Sequence, residues 1–228
     1  MLKQLRALLW KEWRQRRAVM LLLWALAVPV GHFASRQMRS WDDPAEEVVL
    51  GVAFLCLCAA MVAARLAASE AEEGTFHFLA RQPVEPGVVW STKLLVGVAF
   101  LVVLYALWWA MGPWFTVRSE LVPVTVGDRV LGTCFPQRAG LWPLVSFAAA
   151  FCLSTVVDNT LLALVGGVVA AVAFATALRL GMFLVVSRLA AAGGGVGLVA
   201  VPTLAILMGV VVALLVLSRV AFGIRVRR

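Results

Sequence analysis

Charge is scarce in this chain: only 14% of its 228 residues are Asp, Glu, Lys or Arg, while 63% are hydrophobic. Water-soluble domains carry about a quarter charged residues, so the balance excludes one and points to lipid as the solvent. Histidine is limited to His32 and His77, and neither has ligating neighbours, so no metal site is expected. The cysteines Cys56, Cys58, Cys134 and Cys152 lack zinc-type spacing, and three of them lie in apolar runs as small hydrophobes. No disulfide framework is indicated. No G-x-x-x-x-G-K-[ST] loop occurs, so this chain has no such cradle for ATP phosphates. The cluster Gly193-Gly194-Gly195 with Gly197 follows no strand and reads as an outer loop, not a nucleotide fingerprint. Carboxylates and histidines are missing from the middles of the apolar stretches, which argues against an ion-coupled carrier or an intramembrane enzyme.

What is abundant is uninterrupted apolar sequence. Six stretches stand out: Ala18 to Phe33, Val48 to Ala64, Leu94 to Phe115, Leu141 to Val157, Thr160 to Leu178 and Val196 to Ser218. Each nears the ~20 residues that a helix needs to cross ~30 Å of hydrocarbon, and lipid offers no partner for open backbone. The expected fold is an all-α integral membrane protein, a single domain over residues 1–228 with six transmembrane helices. The first stretch is expected to be retained, because no small-x-small cleavage site follows in Gly31-His32-Phe33-Ala34.

The net charge of +8 does not form a nucleic-acid patch, because the basic residues flank apolar stretches. With the N-terminus inside, 13 of the 20 lie on inner segments: Lys3, Arg6, Lys11, Arg14, Arg16, Arg17, Arg65, Arg81, Lys93, Arg219, Arg225, Arg227 and Arg228. That bias predicts both termini in the cytoplasm. Trp114 and Trp142 fit an outer aromatic belt, and Trp10 and Trp13 an inner one.

Residues 1–17 place Leu2, Leu5, Leu9 and Trp13 on one helical side and Lys3, Lys11 and Arg14 on the other. An amphipathic interfacial helix is expected, with Trp10, Lys11, Trp13 and Arg14 at the lipid surface. The inner connection, residues 69–93, opens with Glu70, Glu72 and Glu73 as a short helix whose acids suit an N-terminal dipole. Pro83 and Pro86 end it, and Trp90 and Lys93 lead into the third span. Topology does not explain an acidic helix on a basic face; docking a partner does. The outer connection, residues 116–140, alternates around Gly127-Asp128 as a small β-hairpin that either caps the exit side or shortens a loop. Gly166, Gly167, Ala170 and Ala171 form a small-residue face on the fifth span, suited to a dimer seam or to packing within one subunit. Tyr105 is either a polar contact in a pathway or a packing residue, and Pro29, Pro143 and Pro202 either kink or start their helices.

Taken together, the inner connection resembles that of permease subunits of type-2 ATP-binding cassette exporters: an acidic stretch, Gly-Thr, a Leu-rich turn, a Pro, then a basic residue. Glu70, Glu73, Gly74, Thr75, Leu79, Pro83 and Lys93 carry the likeness. The leader LLWKEWRQRR is similar to the family's interfacial helix, and Leu153 to Gly167 to its turn between spans four and five. The resemblance implies a coupling helix seated on a separate cytoplasmic ATPase, with Glu70, Glu72, Glu73, Gly74, Thr75, Phe76, Arg81 and Pro83 at or shaping that dock. It implies no catalytic residue and no cofactor in this chain, ATP and Mg being held by the ATPase. It also implies a second permease subunit, identical or paralogous, and a bacterial inner membrane. The competing reading is a non-transporting membrane scaffold that anchors a cytoplasmic partner through the same acidic segment.

Overall fold

The computed structural model describes residues 2–38, 44–72, 85–110, 123–126, 129–133, 141–191 and 200–227. They form six helices and one ribbon: α1 (Leu2–Met38), α2 (Pro44–Glu72), α3 (Pro86–Ala110), β1 (Pro123–Val126), β2 (Arg129–Thr133), α4 (Trp142–Val156), α5 (Thr160–Ala191) and α6 (Ala200–Arg227). Pro44, Pro86, Pro143 and Pro202 stand in first turns, where a missing N–H removes no helical bond; Pro29 lies inside α1. The strands pair antiparallel, with Val126 opposite Arg129 and Thr125 opposite Val130.

Helices α2 and α4 make the centre. On α2, Ala59, Ala60, Ala63, Ala64, Ala67 and Ala68 are all fully buried, a smooth surface that lets neighbours approach closely. Helix α4 lies along α2 and also meets α5 and α6, while α1 packs on α2 and α3. Aromatic rings fill the wider gaps: Phe147 stacks on Phe151 at 5.8 Å, Trp90 tilts against Phe151 at 6.0 Å, and Trp24 stacks on Phe100 at 5.7 Å.

Four helices are long and apolar enough to cross a membrane, over Ala53–Glu70, Pro86–Leu107, Thr160–Ala177 and Ala205–Val226. Helix α4 is apolar but has 15 residues, about 22 Å against a ~30 Å core. The exterior reverses the pattern of a water-soluble protein. Leu162 is 62% exposed and Val216 57% exposed, while Lys93 is completely buried. Apolar faces this continuous suit lipid and would associate in water.

The structure differs from the sequence reading at two places. The leader is not a separate interfacial element: α1 runs unbroken for 37 residues from Leu2 to Met38, because Glu12 and Arg16 bond to neighbouring helices instead of lying flat on a surface. Glu70 and Glu72 do not open a new helix; they sit in the last turn of α2. Acids there oppose the helix dipole, and their compensation lies in the ion pairs and cap described next.

Candidate functional site

The site is built where α1, α2 and α3 meet at one end of the bundle. Glu12 and Arg16 stand one turn apart on α1 and pair at 2.9 Å, an arrangement favoured by the i, i+4 spacing. Arg16 reaches across to α2, donating to the carbonyl of Leu66 at 3.1 Å, to Ser69 Oγ at 3.2 Å and to the Arg65 carbonyl. From α3, Lys93 Nζ lies 3.1 Å from Glu12 Oε1, 2.8 Å from Glu70 Oε2 and 2.7 Å from the Leu66 carbonyl. Three acceptors meet the three donors of one ammonium, which satisfies it completely. Two carboxylates face two cations within the buried cluster, and Lys11 adds a rim contact to Glu70 at 3.6 Å.

A buried charge is tolerated only when paired and hydrogen-bonded, so each member here depends on the others. Burial alone would push the Glu12 carboxyl up; the charges of Lys93 and Arg16 outweigh it and hold Glu12 below its ordinary value of 4.5. The unit fixes three helices together and is neutral as a whole. Among the described residues no group of three His, Cys, Asp or Glu is placed to hold a metal.

A second set of contacts pins the turn between α4 and α5. Glu72, at the end of α2, accepts from the Thr160 backbone N–H at 2.6 Å and the Thr160 hydroxyl at 2.8 Å. Those bonds hold its carboxyl below the usual range. Asn159 Oδ1 accepts from Leu162 N–H at 3.0 Å, so two side chains cap α5. Arg225 of α6 pairs with Asp158 and donates to the Thr155 carbonyl at 3.2 Å, covering the end of α4. Trp90 of α3 donates to Ser218 of α6 at 3.1 Å. These contacts, with the three-helix cluster, gather the α1 start, α2 end, α3 start, α4 end, α5 start and α6 end on one side. Removing the Glu72 cap with Glu72→Ala is expected to cost about 1 kcal/mol, or about 2–4 °C in melting temperature. Thermal unfolding in detergent checks this, with Glu72→Gln losing less.

The expected partner-contact residues therefore divide. Glu70 is buried against Lys93 and shapes the fold from inside, and Glu72 caps α5. Glu73, Gly74, Thr75, Phe76, Arg81 and Pro83 lie outside the described residues. Of the residues expected at the lipid surface, Trp10 and Arg14 are exposed, Lys11 pairs with Glu70, and Trp13 packs 6.2 Å from Trp24. On α5 the small-residue face works within the chain: a Cβ on Gly167 would stand 2.6 Å from the Ala150 Cα, and Ala171 is buried, while Ala170 points outward. Glu12 is the residue that sequence reasoning passed over. Its signal was there: it is the one acid in a leader with six cations, four residues before an Arg.

This is an α-helical membrane protein whose helices are tied at one end by buried charge. No family model, curated protein or solved structure matches the chain.

Proposed function

We propose that this chain is the permease subunit of an ATP-binding cassette exporter, forming half of a translocation pathway. In this reading it has six spans and lies in a bacterial inner membrane with both termini in the cytoplasm. Residues 69–93 are the cytoplasmic coupling segment, and ATP and Mg belong to a separate ATPase seated against it. A second permease subunit, identical or paralogous, completes the pathway.

The observation that carries the reading is how that segment is mounted. Its two ends lie in the last turn of α2, which carries Glu70, and in the first two turns of α3, which carry Lys93, and those two side chains pair at 2.8 Å. Lys93 also binds Glu12 of α1. A push on the segment is thus delivered to α1, α2 and α3 as one body, as a rigid-body opening of the pathway requires. Glu70, Glu73, Gly74, Thr75, Leu79, Pro83 and Lys93 supply the family likeness. The 13 basic residues assigned to inner segments set the orientation.

The test is ATP hydrolysis by the complex reconstituted in lipid. Glu73→Lys combined with Phe76→Ala is expected to return hydrolysis to the level of the ATPase alone. Hydrolysis that stays at the wild-type level would sink the coupling role and favour a scaffold.

A further inference from the structure

Between α1 and α2, beside the buried charges, lies a cavity of about 70 Å³. Gln15, Arg16, Arg65 and Ser69 give it a polar wall, with Glu70 behind them. Val19, Met20 and Val62 form its apolar part. The candidate span of α2 ends at Glu70, and Val62 lies about two turns deeper. The cavity therefore passes from polar to apolar where the helix enters hydrocarbon.

The polar wall is held in place. Arg16 is 8% exposed and donates Nε–H to Glu12, Nη1–H to Ser69 Oγ and the Arg65 carbonyl, and Nη2–H to the Leu66 carbonyl. A guanidinium has five N–H groups, so one is left without a partner among the described residues. Ser69 in turn donates to the Arg65 carbonyl at 2.6 Å. The Arg65 backbone thus anchors the wall, while its side chain is exposed. Among the described residues no acid forms an ion pair with Arg65. Glu72 feels its charge, but both Glu72 oxygens are bound to Thr160.

Charge selects the occupant. Lys11, Arg16, Arg65 and Lys93 face only Glu12 and Glu70, and Glu70 is matched by Lys93 at 2.8 Å and Lys11 at 3.6 Å. Lys11 stands one turn from Gln15 on the same side of α1, as Arg65 stands one turn from Ser69 on α2. Surplus positive charge around the cavity repels a cation, and water alone leaves it uncompensated. The space exceeds the ~30 Å³ share of one water and is too small for an acyl chain.

We propose that this cavity binds a phosphate group, the head of an anionic phospholipid whose chains leave past Val19 and Val62. Arg65 and Gln15 hold the phosphate from outside, and the remaining N–H of Arg16 from within. The site stands whether or not the chain couples to an ATPase.

The experiment is thermal unfolding of the full chain in a neutral detergent at constant ionic strength. Short-chain phosphatidylglycerol, short-chain phosphatidylcholine or inorganic phosphate is added in turn. Phosphatidylglycerol is expected to raise the melting temperature saturably, with phosphatidylcholine needing on the order of tenfold more for half the rise. Arg65→Gln removes one cation and Gln15→Glu adds an acid, both outside the buried cluster. Each is expected to melt as wild type does without ligand and to need on the order of tenfold more phosphatidylglycerol. If one of them melts early without ligand, the other decides. A response to inorganic phosphate alone, weakened in both variants, keeps the phosphate site and makes its source a free anion. No response to any probe would overturn the proposal, as would equal midpoints for the two lipids or wild-type midpoints in the variants.

Discussion

Lys93→Met is expected to destabilise the folded protein by about 3–5 kcal/mol, because it strands two buried carboxylates. Lys93 is completely buried and supplies contacts to Glu12, Glu70 and the Leu66 carbonyl at once. Its loss leaves Arg16 as the single buried cation against Glu12 and Glu70, with Lys11 only at the rim. By size scaling, that loss corresponds to roughly 10 °C in melting temperature. Lys93→Met with Glu70→Gln is expected to recover part of it, since one carboxylate then faces one guanidinium. Non-additivity of this kind is the signature of a shared network. Lys93→Arg is not a mild change, because the fully enclosed site fits a compact ammonium and not a planar fork. Thermal unfolding of all three variants in one detergent measures the effect; a Lys93→Met protein within about 0.5 kcal/mol of wild type would contradict the clamp.

The same unit sets an acid limit. Glu12 is held below 4.5 by Lys93 and Arg16, so the folded state keeps it ionised at pH values where the unfolded chain takes up a proton. Its contribution is fully present above that ordinary value and fades as pH falls through the lower folded one. Melting curves between pH 7 and pH 3 are expected to show this loss for wild type and a flatter profile for Glu12→Gln.

Gly167→Leu carries the second large effect. The first atom it adds lies 2.6 Å from both Cα and Cβ of Ala150, so α5 must move off α4. Backbone, unlike the tip of a side chain, has no rotamer to give way, and overpacking of this sort costs about 1–3 kcal/mol or more. Gly166 is more forgiving, because its neighbour is the Leu153 Cδ1 at 3.0 Å. Ala170→Leu points outward and is expected to leave stability unchanged. A series in which Ala170→Leu is damaging and Gly167→Leu is tolerated would reverse the assignment of this face to packing within the chain.

Much of the helical framework was legible because it is written in apolar runs. Length and freedom from charge located α2, α3, α5 and α6, and lipid leaves the backbone no alternative to hydrogen-bonding itself. The small residues of α5 announced a close contact, though not its partner, since Gly167 reads the same at a dimer seam as against Ala150. The charged residues misled for a physical reason. A cation near an apolar run ordinarily marks an exposed inner segment, and by sequence Lys93 and Arg16 read that way. What places them inside is three-dimensional: Glu12 and Glu70, 58 positions apart, come within reach of one ammonium. Glu72 shows the same limit. Its acid matched an N-terminal dipole, and the structure places it at an N-terminus, but that of α5, 88 residues on.

In the proposed function a soluble ATPase works through the segment following α2. The direct measurement is purification of the tagged chain in mild detergent from its native host, beside Glu73→Lys, which spares the Glu72 cap. The account predicts that an ATP-binding protein accompanies wild type and is lost from the variant. Folded protein that brings down no ATP-binding protein in either sample would contradict it.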